Sequence, residues 1–222
     1  MRKITTTQVA VFLTLLATII ALSVITTALL GSIFPSGDLR GVALFLVCVF
    51  LILVYGIGVY RAFLHWFPLL PGEIAKNSQQ EFIYHVYVLF YLMLFYPVMR
   101  SGFVPAPIMR AVYLGLGARL GENTYSMGLI LDPVFVEIGD NSVIGQAAIL
   151  IPHVIEGSRL GHYPIKIGNN VTIGAHATVL SGTSVGDRSV VATGAVVSKG
   201  TQIGPGEVWG GVPAVKLRDL DP

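Results

Sequence analysis

The stretch that decides the fold is residues 165–209, IKIGNNVTIGAHATVLSGTSVGDRSVVATGAVVSKGTQIGPGEVW. An apolar residue recurs in it every six positions, at 167, 173, 179, 185, 191, 197, 203 and 209. The same spacing occurs earlier, at 138, 144 and 150. Neither an amphipathic helix nor an alternating strand produces a six-residue period. A valine-rich β-sandwich with glycine turns would not keep one register over eleven positions.

Two further features accompany the apolar position. Glycine follows it directly in seven cases: Gly139, Gly145, Gly168, Gly174, Gly186, Gly204 and Gly210. Small or β-branched residues stand four positions after it: Ser142, Ala148, Val171, Ala177, Thr183, Ser189, Ala195 and Thr201. The pattern predicts a triangular coil with six residues a side, an inward aliphatic residue and a glycine that permits the turn beside it. The frame extends back weakly through Leu114-Gly115 and Leu120-Gly121, with Ser126 and Asp132 as imperfect members.

The first half of the chain has a different composition. The protein has 222 residues, of which 54% are hydrophobic and 12% charged, about half the charged fraction of an ordinary soluble domain. The apolar residues crowd the first hundred positions, and a net charge of +2 indicates no nucleic-acid partner. The single cysteine, Cys48, excludes an internal disulfide or a thiolate metal site. We therefore expect a membrane region at 1–111 and a repeat domain at 112–222.

Two stretches are long enough to cross the hydrocarbon layer, residues 9–30 and 41–60. The first is longer than the apolar core of a signal peptide, so we expect it to be retained. A third stretch, residues 82–98, is shorter and strongly aromatic, which suits an interfacial helix as well as a span. Arg2 and Lys3 favour a cytoplasmic N-terminus, and Arg100, Arg110 and Arg119 would violate the positive-inside tendency after a third crossing. The sequence therefore predicts a multi-pass membrane protein of the inner or plasma membrane, with two spans, an interfacial segment and a cytoplasmic repeat domain.

Residues 112–218 resemble the hexapeptide-repeat acyltransferase superfamily, whose repeat reads [LIV]-G-x-x-[small]-x. Residues 165–218, down to Gly211-Val212-Pro213-Ala214, are similar to the end of sugar O-acetyltransferases. The resemblance implies a left-handed parallel β-helix, an exception to right-handed crossovers. It also implies homotrimers with active sites at the subunit interfaces, acetyl-CoA as co-substrate and no metal.

The repeat loses its count between Ile138 and Ile167, which are 29 residues apart and not a multiple of six. Residues 152–164, PHVIEGSRLGHYP, therefore loop out of the prism, and such loops often carry catalytic groups. In the related acetyltransferases this loop bears a histidine that acts as general base. By that resemblance His153 is the first candidate and His162 the second, because imidazole accepts protons near neutral pH. Glu156 and the outward-facing His176 are candidates for acceptor binding, although either could instead be an ordinary solvated side chain.

The resemblance also implies donor-binding residues on the later coils. They are the backbone at Gly194 and Ala195, then Ser198 and Lys199, and the basic residues Lys216 and Arg218 near the phosphates of coenzyme A. Two departures weaken these assignments. Thr172 stands where the sugar acetyltransferases commonly have tryptophan, and Val215 displaces the basic residue after Ala214 by one position.

The predicted function is transfer of an acyl group, most simply acetyl, from coenzyme A to a hydroxyl or amine of a membrane-associated saccharide or lipid-linked acceptor. A γ-type carbonic anhydrase is one alternative, although the histidine gaps of nine and fourteen residues differ from the five-residue pair expected of its metal site. A non-catalytic β-helix scaffold is the other. The sequence leaves four points open: the identity of the acceptor, the length of the acyl group, O- versus N-transfer, and coenzyme A versus acyl-carrier protein as the donor.

Overall fold

The computed structural model describes residues 2–33 and 37–220, so part of the loop between the first two predicted spans lies outside the described residues. The chain divides into two compact units. One contains residues 2–69 and 76–98, and the other contains residues 70–75 and 99–220.

The first unit is helical. Its helices are α1 (Thr6–Gly31), α2 (Arg40–Trp66) and α3 (Gln79–Phe90), which continues as a π-helical turn (Tyr91–Phe95) and α4 (Tyr96–Arg100). A capping box at Thr5 and Gln8 starts α1, and Ser78 caps α3. Within the described part of the chain, three helices are long and apolar enough to cross a membrane: Thr6–Gly31, Arg40–Trp66 and Gln79–Arg100.

The interior of this unit contains aromatic and polar contacts. The rings of Phe12 and Phe90 meet edge to face with centroids 5.3 Å apart. Nearer the ends of the same two helices, the Arg2 guanidinium donates to the Glu81 carboxylate at 3.0 Å. Aromatic contact therefore joins α1 to α3, and a partly buried ion pair joins the residues before α1 to α3.

The second unit begins with β1 (Gly72–Glu73) and α5 (Ala106–Gly115) and is otherwise built from short strands. The first group of strands is β2 (Arg119–Leu120), β3 (Tyr125–Ser126), β4 (Leu129–Ile130), β5 (Val136–Ile138), β6 (Val143–Ile144), β7 (Ile149–Ile151), β8 (His153–Glu156) and β9 (Arg159–His162). The second group is β10 (Ile165–Ile167), β11 (Thr172–Ile173), β12 (Thr178–Leu180), β13 (Ser184–Val185), β14 (Val190–Val191), β15 (Val196–Val197), β16 (Gln202–Ile203), β17 (Glu207–Gly211) and β18 (Ala214–Asp219).

These strands form the three faces of a parallel β-helix. The faces run β2-β5-β10-β13-β16, β3-β6-β11-β14-β17 and β4-β7-β12-β15, and every neighbouring pair on them is parallel. Strand β18 turns back and pairs antiparallel with β17 at the C-terminal end. The predicted parallel β-helix is confirmed.

The six-residue register places the core. The apolar positions from Ile138 to Ile203 are at most 3% exposed, whereas Trp209, at the last coil, is half-buried. Seven of the eight residues four positions on are also buried, Ser142, Ala148 and Ala177 among them, whereas Thr201 is half-buried. Leu114-Gly115, the weakest member of the predicted frame, lies instead in α5, so the coils begin at β2.

The role predicted for the repeat glycines is wrong in its detail. The residue with positive φ stands three positions after the inward aliphatic residue, as at Asn170, Arg188 and Gly194, and not directly beside it. The glycine beside it is needed for space, because a Cβ on Gly174 would lie 2.5 Å from the Thr193 amide nitrogen of the next coil. Close stacking of the coils, rather than the turn, therefore explains the glycine.

Helix α5 covers the first coil. Its Tyr113 hydroxyl donates to the Gly128 carbonyl at 3.0 Å and accepts from the Ile130 amide at 3.2 Å. The Arg110 guanidinium donates to the carbonyls of Thr124 and Gly121 at 3.1 and 2.9 Å. Burial raises the pKa of Tyr113 to about 12, so the phenol stays protonated as a donor. These bonds place α5 within the β-helical unit, which contains residues 70–75 and 99–220. The domain boundary at residue 112 stays a prediction.

Candidate active site

The segment that interrupts the repeat is a β-hairpin. Strands β8 and β9 pair antiparallel and are joined at Gly157-Ser158, where Gly157 has a φ of 58°. His153 and His162 are register partners at the base of this hairpin. The two predicted histidines therefore face each other across neighbouring strands.

A third residue completes the group. Asp132 is 4% exposed and adopts the left-handed conformation, with a φ of 44°, just before the short 3₁₀ turn Pro133–Phe135. Its Oδ2 lies 2.5 Å from Nδ1 of His153, and its Oδ1 lies 4.0 Å from Nε2 of His162. An ionised carboxylate only accepts hydrogen bonds, so Nδ1 of His153 carries the proton and Nε2 holds the lone pair of the neutral ring.

The electrostatics of His153 favour a stronger base. Burial acts to lower the pKa of His153, but the hydrogen bond and the negative charge of Asp132 outweigh burial and leave the pKa above its ordinary value. The side chain remains 30% exposed, so a second molecule can reach the ring.

His162 has the opposite character. It is fully buried, and its ring stacks on Phe135 with centroids 4.5 Å apart and planes 18° apart. Burial lowers the pKa of His162 to about 4, against a smaller opposing effect of the Asp132 charge. His162 is therefore neutral near pH 7, and His153 is the histidine of the pair that can exchange a proton with a bound molecule.

Two other predicted residues meet at the tip of the hairpin. The Lys199 ammonium donates to the Glu156 carboxylate, and this bond holds the pKa of Glu156 below its ordinary value. Both side chains are about half exposed. Ser198, beside Lys199, is exposed and its carbonyl accepts from the Thr201 hydroxyl at 2.8 Å.

The backbone predicted to bind coenzyme A is already hydrogen-bonded within the prism. The Gly194 amide donates to the Ala175 carbonyl at 2.9 Å, and the Ala195 amide donates to the Ala192 carbonyl at 3.2 Å. The Ala195 carbonyl accepts from the Thr178 amide at 2.8 Å. These amides belong to the coil ladder, so their assignment to the donor site stays a prediction.

The basic residues of the C-terminal strand have acidic neighbours. Lys216 Nζ lies 2.7 Å from Asp219 Oδ1 and 2.9 Å from Glu207 Oε1, and these bonds raise the pKa of Lys216. Arg218 donates to the Asp219 carbonyl at 3.2 Å.

His176 is exposed at a corner of the prism, with a φ of 58°, in keeping with its predicted outward position. The described residues contain no group of three or more His, Cys, Asp or Glu side chains arranged to hold a metal ion.

Comparison with known proteins agrees with the repeat. Residues 164–199 match the profile of the family described as the hexapeptide repeat of succinyl-transferase. Over these residues the β-helical domain is similar to hexapeptide-repeat proteins.

The curated relatives that this chain resembles carry names of two different activities. The chain is 34% identical over 121 residues to galactoside O-acetyltransferase of Escherichia coli K12, covering 50% of this chain and 59% of that protein. It is 41% identical over 83 residues to mitochondrial γ carbonic anhydrase 1 of Arabidopsis thaliana, covering 37% of this chain and 26% of that protein. The chain therefore spans less than two thirds of the curated relatives it matches here.

A solved hexapeptide-repeat acetyltransferase of Vibrio cholerae, complexed with acetyl coenzyme A, is 29% identical with a TM-score of 0.45. The similarity covers 49% of this chain and 63% of that structure.

Proposed function

We propose that the protein is a membrane-anchored acetyltransferase that transfers an acetyl group from acetyl-CoA to a hydroxyl or amine of a membrane-associated acceptor. The observation that carries the proposal is the 2.5 Å contact between Asp132 and His153, which orients an accessible imidazole as a base. The similarity of half the chain to galactoside O-acetyltransferase supports acyl transfer as the reaction class.

The reaction proceeds without a covalent enzyme intermediate. Nε2 of His153 removes the proton of the acceptor as its oxygen or nitrogen attacks the thioester carbonyl. Asp132 stabilises the imidazolium that forms, and backbone amides stabilise the oxyanion. The C–S bond then breaks, and the thiolate of coenzyme A takes the proton from His153. Acetyl-acceptor and free coenzyme A leave.

Donor and subunit assignments complete the proposal. The bond from Lys199 to Glu156 brings Lys199 and its neighbour Ser198 to the hairpin tip, and both are exposed. The pantetheine arm of the donor would therefore pass there. We propose a homotrimer with the hairpin of each subunit at an interface. Apolar side chains on the outside of the early coils, such as Val143 at 39% exposed and Met127 at 59% exposed, are suited to such a contact.

The organisation of the chain supports a membrane-associated acceptor. Helices able to cross a bilayer precede the β-helix, and the segment that joins two of them supplies a strand to the active-site hairpin. An enzyme held at the membrane meets saccharides and lipid-linked precursors where they are assembled. We place the β-helical unit on the cytoplasmic side, because Arg2 and Lys3 precede the first apolar helix.

A donor and acceptor screen tests the function. The detergent-solubilised full chain would be incubated with acetyl-CoA, longer acyl-CoAs or acyl-carrier protein, and with a membrane lipid extract or free sugars. We expect release of the coenzyme A thiol from acetyl-CoA and a mass gain of one acetyl group in a component of the membrane extract. Absence of thiol release with every acceptor, together with hydration of carbon dioxide by the metal-loaded protein, would contradict it and favour the carbonic anhydrase class.

A further inference from the structure

The hairpin that bears the two histidines is not a two-stranded element. Strand β1 adds to it and gives a three-stranded antiparallel sheet in the order β1-β9-β8. Strand β1 comes from the connector between α2 and α3, some ninety residues before β9 in the chain. The strand that bears His162 is therefore the central one.

The contacts of β1 are specific. Gly72 is the register partner of His162, and Glu73 is the partner of Gly161. The Ile74 amide donates to the Leu160 carbonyl at 2.8 Å, and both side chains are buried, at 2% and 5% exposed. The pairing depends on close approach, because a Cβ on Gly161 would lie 2.8 Å from the Gly72 carbonyl oxygen.

A hairpin of two four-residue strands would be marginally stable alone, whereas a third strand with an apolar contact makes such a sheet stable. Without β1, strand β9 would expose an unpaired edge beside His162. The position of His153 would then depend on a two-stranded hairpin and on its bond to Asp132. The third strand thus restricts the motion of both histidines.

We propose that residues 72–74 are a positioning strand for His153, Asp132 and His162, so that catalysis depends on the connector between two membrane-region helices. The inference rests on the proposed acetyltransferase function. Glu73 and Ile74 touch no reacting atom in this scheme; they act through the strand that carries His162. A displacement of the base of about 1 Å can lower a rate by about a hundredfold.

Two variants of the full chain test the positioning role. Gly161→Ala pushes the Gly72 carbonyl away, and Ile74→Asp removes the buried apolar contact. Gly58→Ala is the matched glycine control, because nothing lies within 4 Å of a Cβ at that position, and Ile74→Val is the conservative variant. Transfer would be measured with acetyl-CoA and total membrane lipid extract, together with amide hydrogen exchange.

We expect kcat to fall about tenfold to a hundredfold in Gly161→Ala and Ile74→Asp, with KM for acetyl-CoA changed less than about threefold. The acid limb of the pH–rate profile should move to lower pH, because a loosened hairpin separates His153 from the charge of Asp132 while His162 stays neutral. Exchange should rise at residues 153–162 and not in the prism core. Ile74→Val and Gly58→Ala should behave like the wild type.

The experiment distinguishes a failure of the proposed function from a failure of the positioning strand. A wild-type protein without acetyl transfer would refute the proposed function itself. An active wild type, with unchanged kcat and pH profile in both test variants, would overturn the positioning strand and leave the function standing. Loss of exchange protection throughout the prism, at Ile144 and Ile173 as well as in the hairpin, would show that β1 supports the whole fold and would also overturn it.

Discussion

Asp132 has two effects on His153. Its carboxylate fixes the proton on Nδ1, and its charge raises the pKa of the ring. Its left-handed backbone, with a φ of 44°, suits aspartate or asparagine better than most other residues. The side chain can therefore be changed to asparagine without a new backbone requirement.

Asp132→Asn should lower kcat by about tenfold to a thousandfold, because the imidazolium loses its counter-charge and the tautomer is no longer fixed. The pKa of His153 should fall, since asparagine cannot supply the charge that raises it. Activity requires the neutral ring and is lost as pH falls through this pKa, so the acid limb of kcat/KM should shift to lower pH. A pH–rate profile with the acid limb unmoved would mean that Asp132 does not control the base.

The sequence identified the histidines but not their partner. His153 and His162 were found because the six-residue count fails around them. Asp132 stands 21 residues before His153, and coil stacking brings the two together. The available signal is that Asp132 occupies a repeat position where the pattern predicts an aliphatic residue. By itself this signal indicates only an imperfect repeat.

At the scale of elements, the hairpin should depend on pH through His162. Its pKa is about 4 in the folded chain and about 6.5 in an unfolded one. Between these values the unfolded state binds more protons, so the hairpin loses stability as pH falls from about 6.5 to 4, by up to about 3 kcal/mol. His153, with its raised pKa, acts in the other direction, and its contribution is lost as pH rises through that value.

This dependence can be measured by amide exchange of Leu160 and Gly161 at pH 7 and pH 5, corrected for the intrinsic rate. Protection should be weaker at pH 5 in the wild type, and His162→Gln should reduce the difference. Because His153 acts in the other direction in both proteins, an equal change in protection between pH 7 and pH 5 in the wild type and in His162→Gln would contradict the neutral, buried state of His162.

The prism core makes a second prediction for this scale. Leu150 is fully buried, so Leu150→Ala should lower the free energy of unfolding by about 2–5 kcal/mol. Thr172→Ala, on the outer side of a coil, should cost less than about 1 kcal/mol. Urea unfolding of the two variants in detergent checks this, and similar losses in both would mean that the assigned inward register is wrong.

The six-residue period predicts the strands well, because each side of every coil needs the same inward aliphatic residue. The hairpin could be located but not described, since nothing in PHVIEGSRLGHYP dictates antiparallel pairing. Strand β1 could not be predicted at all. It is two residues long, and its pairing depends on tertiary contact with Leu160 and Gly161 rather than on local propensity.

At the scale of the whole molecule, the order of the units along the chain limits the topology. Residues 70–75 and 99–220 form one compact unit, so the chain enters that unit both before and after the segment 76–98. A single crossing by this segment would place the two parts on opposite sides of a bilayer. We therefore propose that α1 and α2 cross, and that the third apolar helix does not carry the chain across.

Cysteine labelling in sealed vesicles checks this topology. In a Cys48→Ser background, Lys76→Cys and Ser101→Cys should be labelled by an impermeant maleimide from the same, cytoplasmic side. Asp38→Cys, in the connection between α1 and α2, should be labelled only from the other side. Labelling of positions 76 and 101 from opposite sides would contradict the two-span arrangement.

The composition of the first half predicts its helices, but composition does not give the number of membrane crossings. Charge placement alone favoured two spans, and the strand supplied by residues 72–73 gives an independent reason for the same count.

The role of His153 as the general base is tested most directly by release of coenzyme A from acetyl-CoA, with membrane lipid extract as acceptor, by the wild type and by His153→Ala. His65→Ala, in the last turn of α2, is the histidine control. We expect the wild type and the control to release coenzyme A at the same rate. We expect His153→Ala to remain folded and to release it about a hundredfold to ten-thousandfold more slowly. Near-normal turnover by folded His153→Ala would contradict the assignment of His153 as the base.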